Sequence, residues 1–469
     1  MTMDGTATAR SPERIWRAAL RPLRRVLRWI PQPVRYGRGF RRAWAELGAS
    51  DRLDAEQLRA MADEKLRRLI GYAYGHVPYY RELFDRERIH PHDIRGVEDL
   101  PRIPILTKKI LRERFDDLKA RDFAAHRPRL GHSGGSTGEQ AQFYLSQRAI
   151  DSELAAAWRH YHQAGYRFGD ACAALYLPLA GRAADLLYYD NWRTRTLLLN
   201  TRFFTRERLR AMIDAILAHR ADVLWAYPSH LEILCRYIEE SGDDRLRPRV
   251  VITNAEVLYD VQRARARQLL GCDVFDWYGL AEHAAIAAEC EQHGYHVPEE
   301  IVVVELLAGQ GEPPVGEPGE IIGTSLENYA QPFIRYQTGD YASWREGLCP
   351  CGRSHRMLKE IGGRTQDVIT TPNGICTFRH GALALEEVPG LEALQIEQVE
   401  LRRFIVRAVA PYGLSDDARQ MVAANLLRAL GFEASVEVVP VNQVPRTKRG
   451  KHQLVISRVP FSFAKLPAK

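Results

Sequence analysis

The sequence predicts an α/β fold, with a large N-terminal α/β domain followed by a small, mobile α+β domain. Three observations lead there. The chain has 469 residues, more than one ordinary hydrophobic core organises. Between Ala171 and Leu280 short apolar runs alternate with segments of helical period, the pattern of a mostly parallel sheet covered by helices. Beyond "GGRTQDVI" a fresh strand–helix–strand pattern begins, about the size of a small domain. The boundary falls near Gly363–Asp367, which divides the chain into 1–50, 51–363 and 364–469.

Taken in order, the first fifty residues are basic. Arginines crowd Arg10 to Arg42, and Trp16, Leu20, Leu23, Leu27 and Ile30 fall at near-helical spacing around Pro22, which starts or kinks the helix. A basic amphipathic helix of this kind contacts a membrane surface or a partner, or packs on the enzyme's own body. The rest of the chain has no basic stripe interleaved with aromatics, so no nucleic-acid partner is expected. Residues 52–87 have helical spacing through Leu58, Met61, Leu66, Leu69, Ile70 and Ala73. "HVPYYRELF" follows, then "LPRIPILTKKIL", whose prolines mark extended or turning chain.

Strands are expected in "ACAALYLPL", "ADVLWAYPS", "RVVITNAEV" and "CDVFDWYGL". "RERLRAMIDAILAHR" and "LYDVQRARARQLLG" are the helices between them. Past residue 300 the pattern turns to β, with "EEIVVVELL" and "GEIIGTSL" around a Gly/Pro-rich turn. The last unit reads as a strand "LEALQIEQVELRRFIVRAV", a helix "SDDARQMVAANLLRALG" and a strand "SVEVVPV". Apolar content of 45% and charged content of 27% are those of a folded globular protein. No apolar run reaches bilayer length and no secretory core is visible, so cytoplasm is the expected compartment. Oligomeric state is not legible.

Five segments carry chemistry. "GHSGGSTGEQ", Gly131–Gln140, is a Gly/hydroxyl-rich turn that either wraps phosphate oxygens with backbone N–H groups or simply connects. It is not a Walker loop, because no lysine follows Gly138. In "DWYGLAEHAAIAAEC", Asp276–Cys290, Tyr278 suits stacking on a base, Gly279 lets a ligand approach the backbone, and Glu282 suits Mg²⁺. In "PFIRYQTGDYASW", Asp340 at a strand corner suits the two hydroxyls of a ribose, or is a turn aspartate. "GGRTQDVI" and "VPRTKRGKHQLVI" complete the set; Lys451 in the latter is a reactive cation or a solvated one.

In this order the segments resemble the adenylate-forming superfamily of acyl-CoA synthetases, from about His76 to Ile456. More closely they resemble the phenylacetate–CoA ligase family and its capsular-polysaccharide (CapK-like) branch. The stretch from "YGLAE" through "GEPGEIIGTSL" and "IRYQTGD" to "CPCGR" is the most specific part. The resemblance implies ATP- and Mg²⁺-dependent activation of a small carboxylic acid as an acyl-adenylate, then transfer to coenzyme A. A carrier-protein thiol, or a sugar amine or hydroxyl, is the alternative acceptor. A degenerate member that only binds nucleotide or acyl ligand is a second alternative.

It also implies roles. Ser133, Gly135, Ser136, Thr137 and Gly138 cradle phosphates, with Thr137 also catalytic. Ala255, Glu256, Tyr278, Gly279, Asp340 and Arg364 contact the nucleotide, and Glu282 holds Mg²⁺. Asp367 is the hinge, Lys451 the catalytic lysine, and Trp225, Tyr227 and Asn254 neighbour the acyl pocket. The loop "GEQ" lacks the family's usual lysine, and the stretch after the hinge departs from the family's pattern.

The seven cysteines are odd in number, which argues against a disulfide framework. Cys290, His296, Cys349 and Cys351 offer three thiolates and an imidazole, a tetrahedral set for structural Zn²⁺, with His293 and His355 as spares. The other reading is reduced cysteines in turns.

Overall fold

The computed structural model describes residues 31–132, 141–175, 186–191, 194–201, 204–309, 311–364, 368–372, 374–377, 388, 390–391, 393–411, 413–430, 432–444 and 455–459. Near the N-terminus lie α1 (Gln32–Arg35), α2 (Arg38–Ser50), α3 (Ala55–His76), α4 (Pro78–Glu87) and α5 (Lys108–Glu113). The single helical run expected over 52–87 is thus two helices. Asp54 opens α3 with a capping box to Gln57, and Pro78, which lacks an N–H, restarts the chain as the first residue of α4. Helix α2 is part of the packed body: Phe40, Ala43 and Leu47 are buried with Ala155 and Trp158.

A twelve-stranded sheet forms the frame. Its parallel centre is β3 (Cys172–Leu175), β5 (Thr196–Leu199), β6 (Val223–Ala226), β7 (Val250–Asn254) and β8 (Asp273–Gly279), with β4 (Tyr188–Asn191) antiparallel at the edge. Helices α6 (Gln147–Gln163), α7 (Arg206–His219), α8 (Pro228–Ser241) and α9 (Asp260–Leu270) accompany it. From β8 onward every pairing is antiparallel, through β9 (Ile286–Glu289), β10 (Tyr295–His296), β14 (Met357–Arg364), β13 (Tyr336–Trp344), β12 (Pro318–Ser325) and β11 (Val302–Leu307). The sheet is therefore mixed rather than mostly parallel, because after β8 the chain connects by short turns that leave no length for crossover helices.

Two short hairpins stand apart: β1 (Arg129–His132) with β2 (Gln142–Leu145), and β15 (Val368–Thr371) with β16 (Gly374–Thr377). A separate four-stranded sheet carries β17 (Ala393–Glu400), β18 (Arg403–Val409), β19 (Ser435–Pro440) and β20 (Val455–Ser457), packed by α10 (Asp416–Leu430). The stretch expected as one strand, 391–409, is a tight hairpin of β17 and β18.

Candidate functional site

In an open α/β sheet ligands bind at the carboxyl ends of the parallel strands. Burial points to the same place. Strands β6 and β7 are buried except for Trp225 and Asn254, which are half-buried, as is Tyr278 near the end of β8. Tyr161 of α6 sets its ring 6.2 Å from that of Trp225. Tyr227 is buried at the start of α8. Asn254 Oδ1 is buried without a hydrogen-bond partner among the described residues. Ala255 adopts a left-handed backbone, φ +66°, which costs a non-glycine residue energy and is typical of functional sites. Glu256 turns its carboxylate to α8, accepting from Ser229 N (2.9 Å) and Ser229 Oγ (3.1 Å), where an acid complements a helix N-terminus.

Three strands separate β8 from β13 in the sheet, yet the Tyr278 hydroxyl donates to Asp340 Oδ2 over 3.0 Å. Burial, and then the neighbouring Asp340 carboxylate, push the Tyr278 hydroxyl well above its usual range, so it stays a donor. The Asp340 amide in turn donates to Thr338 Oγ1 at 3.0 Å. Gly339, φ +76°, makes the corner that a side chain would strain. Arg364 stands opposite Asp340 in the β13–β14 register. Gly279 has its own reason: a Cβ there would lie 2.7 Å from Trp277 Nε1.

Glu282 follows β8 and is 4% exposed. Its Oε1 accepts from the hydroxyl of Tyr336, fully buried at the start of β13, over 2.9 Å. Strand β13 therefore touches both acids, Asp340 through the backbone of its own corner and Glu282 through Tyr336. The turn bearing Glu282 is pressed onto β12; a Cβ at Gly323 would come within 2.3 Å of Ala284 O. Tyr336 and Thr338 were not read as site residues in the sequence. Their signal is position within the same segment as Asp340.

The second site is built by β9, β10 and the turn before β14. Cys290, His296, Cys349 and Cys351 bring one ligand atom each to within 4.8 Å of one another. Cys290 Sγ lies 3.6 Å from Cys349 Sγ, and Cys351 Sγ lies 3.4 Å from His296 Nε2. His296 Nδ1 faces His355 O at 3.3 Å, which aims Nε2 at the thiols. Burial pushes the Cys290 thiol up to about 12. Burial acts the same way on Cys351, but hydrogen bonds from Arg353 and the other thiols outweigh it and lower its pKa. The spare histidines lie elsewhere: His293 pairs with Glu289, and His355 Nε2 meets Glu300 Oε1 at 3.0 Å.

Between the two sites lies a buried acid pair. Asp276 accepts from Thr253 Oγ1 (2.5 Å) and Tyr295 Oη (2.9 Å), while its amide donates to Glu289 Oε2 (2.9 Å). Arg263 holds Glu289 with Nη2···Oε1 at 2.6 Å. Burial, then the charge of Glu289, raise Asp276 to about 7. Ser133, Gly135, Ser136, Thr137, Gly138, Asp367 and Lys451 lie outside the described residues.

No protein-family model matches the chain. A phenylacetate–coenzyme A ligase of Thermus thermophilus is 27% identical over 447 residues, 86% of this chain and 97% of that protein. The chain is similar to phenylacetate–coenzyme A ligases over most of its length. The corresponding ligase of Pseudomonas putida is 29% identical over 69% of this chain and 74% of its own length. Protein CapK of Staphylococcus aureus is 21% identical over 87% of this chain and 90% of its own. The fold is that of a crystal structure of 2-hydroxyisobutyryl-CoA ligase in the postadenylation state, with a TM-score of 0.70, 19% identity and coverage of 87% of this chain and 91% of that one.

Proposed function

We propose that this protein is a member of the phenylacetate–coenzyme A ligase family and couples ATP to a small carboxylic acid, forming an acyl-adenylate and pyrophosphate, and then transfers the acyl group to the thiol of coenzyme A. The observation that carries the reading is the convergence of Tyr278, Asp340 and Glu282 at one end of the sheet, held by two hydrogen bonds of 3.0 and 2.9 Å. The named relatives are ligases of this type.

The residues divide the work. The Tyr278 ring stacks on the base, and Asp340 accepts ribose hydroxyls on carboxylate lone pairs left beside its bond from Tyr278. A carboxylate oxygen of the acid attacks the α-phosphorus; the bond to the bridging oxygen breaks and pyrophosphate leaves. Glu282 would hold Mg²⁺, which when bound neutralises phosphate charge. Its carboxylate fits that task, being an oxygen ligand oriented by Tyr336 with acceptor capacity to spare. In this reading the 133–138 loop and Lys451 donate to the same phosphates. Lys451 acts on the transition state and leaves when the small domain turns about Asp367 for thioester formation.

We assign Cys290, His296, Cys349 and Cys351 to a structural Zn²⁺. Tetrahedral zinc with Zn–S near ~2.3 Å requires ligand atoms roughly 3.5–3.8 Å apart. The 3.6 and 3.4 Å separations lie close to that range, all four ligand atoms fall within 4.8 Å of one another, and four protein ligands would leave no open position. Acid-dependent exchange of pyrophosphate into ATP tests the first proposal and metal analysis the second.

A further inference from the structure

Immediately after Glu282, His283 takes a left-handed backbone, φ +55°, on the turn between β8 and β9. Its Nε2 pairs with Glu153 of α6, and both side chains are 18% exposed. Its other ring nitrogen, Nδ1, is buried without a hydrogen-bond partner among the described residues. Glu153, Ala157 and Tyr161 recur every four residues, so they form one stripe of α6. That stripe is half-buried, whereas Ala155, Ala156, Trp158 and His160 beside it are buried. At one end it meets His283 and at the other Trp225, one strand away from Asn254. The Oδ1 of Asn254 is likewise buried and unpartnered among the described residues.

Buried polar atoms are normally satisfied, so each exception asks for a partner. The two here flank one wall, made by α6 and the carboxyl ends of β6 and β7, next to the acid that would hold Mg²⁺. A wall meant for a plain aryl or alkyl group has no use for an imidazole held against a carboxylate. With Nε2 committed to Glu153, Nδ1 is what His283 presents to a ligand, and Asn254 Oδ1 is an acceptor. A hydroxyl is the smallest uncharged substituent that both accepts and donates through one atom carried on an otherwise apolar acid.

We propose that His283, oriented by Glu153, is a specificity-determining residue that reads a hydroxyl on the substrate, so that the acid activated is a hydroxylated carboxylic acid. This rests on the adenylation reading above. The Glu153–His283 pair places the ring; it takes no part in the bond changes at phosphorus.

The test measures kcat/KM for pyrophosphate exchange with matched acids that differ by one hydroxyl: phenylacetate and 4-hydroxyphenylacetate, benzoate and 4-hydroxybenzoate, butyrate and 3-hydroxybutyrate. The full chain should favour the hydroxylated member of at least one pair by on the order of a hundredfold, since a site built to bond a hydroxyl rejects the analogue lacking it. His283→Gly keeps the positive φ and removes the ring, and should collapse that ratio towards one. Glu153→Gln should move the ratio in the same direction, which supplies the answer if the glycine variant does not fold. Preference for the plain acid in every pair, or a ratio unchanged in a folded variant, overturns the role of His283 and leaves adenylation standing. Absence of exchange with every acid overturns the adenylation reading, and this one with it.

Discussion

Tyr336 shows how a buried hydroxyl orients a carboxylate of the candidate site. Its bond to Glu282 Oε1 spans 2.9 Å inside the core. Tyr336→Phe keeps the ring and loses that donor, worth about 1 kcal/mol. The expected outcome is a roughly fivefold rise in the Mg²⁺ concentration for half-maximal exchange, with the melting temperature nearly kept; an unshifted Mg²⁺ titration would detach Tyr336 from Glu282's task. Lys451→Ala should lower exchange by orders of magnitude while ATP still binds, because the proposed role is confined to the transition state. Equal exchange rates in the two proteins would remove Lys451 from the mechanism.

Asp276 gives a pH signature. Its folded pKa, about 7, is above the ordinary carboxylate value, so its contribution to stability is present at low pH and is lost as pH rises through 7. Asp276→Asn should therefore flatten the fall in melting temperature between about pH 4 and 7; a slope equal to that of the parent would contradict the assignment. Tyr278, Gly279, Glu282 and Asp340 could be singled out as candidates in sequence because aromatic, glycine and acid fall together at strand ends. Tyr336 and Asp276 were not, since a tyrosine or an aspartate inside an apolar segment reads as core or surface until its partner is known.

At the scale of elements, β8, β9, β10 and β14 carry the argument. Tyr278 pairs with Ala287, and His296 with Ala288 and Met357, so the thiol cluster and the strand that carries Tyr278 share one set of backbone ladders. Metal binding at the proposed site would tie the β9–β10 turn to the turn before β14, and its free energy would be folding free energy. Cys349→Ser should lose about one Zn²⁺ per chain and melt earlier, while exchange persists at low temperature. Protein prepared without chelator that holds no zinc would end the assignment. The four ligands could be gathered from sequence by residue type alone, whereas their convergence needed β9, β10 and β14 to be neighbours. The β17–β18 hairpin was missed for a different reason. Its turn is Leu401–Arg402, with no glycine, proline or asparagine to announce a reversal.

At the scale of the molecule, the basic N-terminus divides in two. Residues 1–30 lie outside the described part, whereas Phe40 and Leu47 of α2 are 0 and 2% exposed and Ser50 Oγ donates to Glu300 Oε1 over 2.5 Å. Large apolar side chains of this kind contribute roughly 1.5–3 kcal/mol each when buried. A chain starting at Pro31 should keep both exchange and melting temperature, and one starting at Asp51 should melt several degrees lower. Equal melting of the two would place α2 outside the cooperative unit. The α/β class was legible from alternation of strand and helix, but the antiparallel half was not, because period and apolar run length do not report strand direction.

The whole account depends on the bond that breaks in ATP. Purified full-length chain, given ATP, Mg²⁺ and a panel of aryl and aliphatic acids with and without hydroxyls, should exchange labelled pyrophosphate into ATP only when an acid is present. With coenzyme A added it should release AMP, not ADP. Formation of ADP and phosphate, or exchange indifferent to the acid, would contradict it.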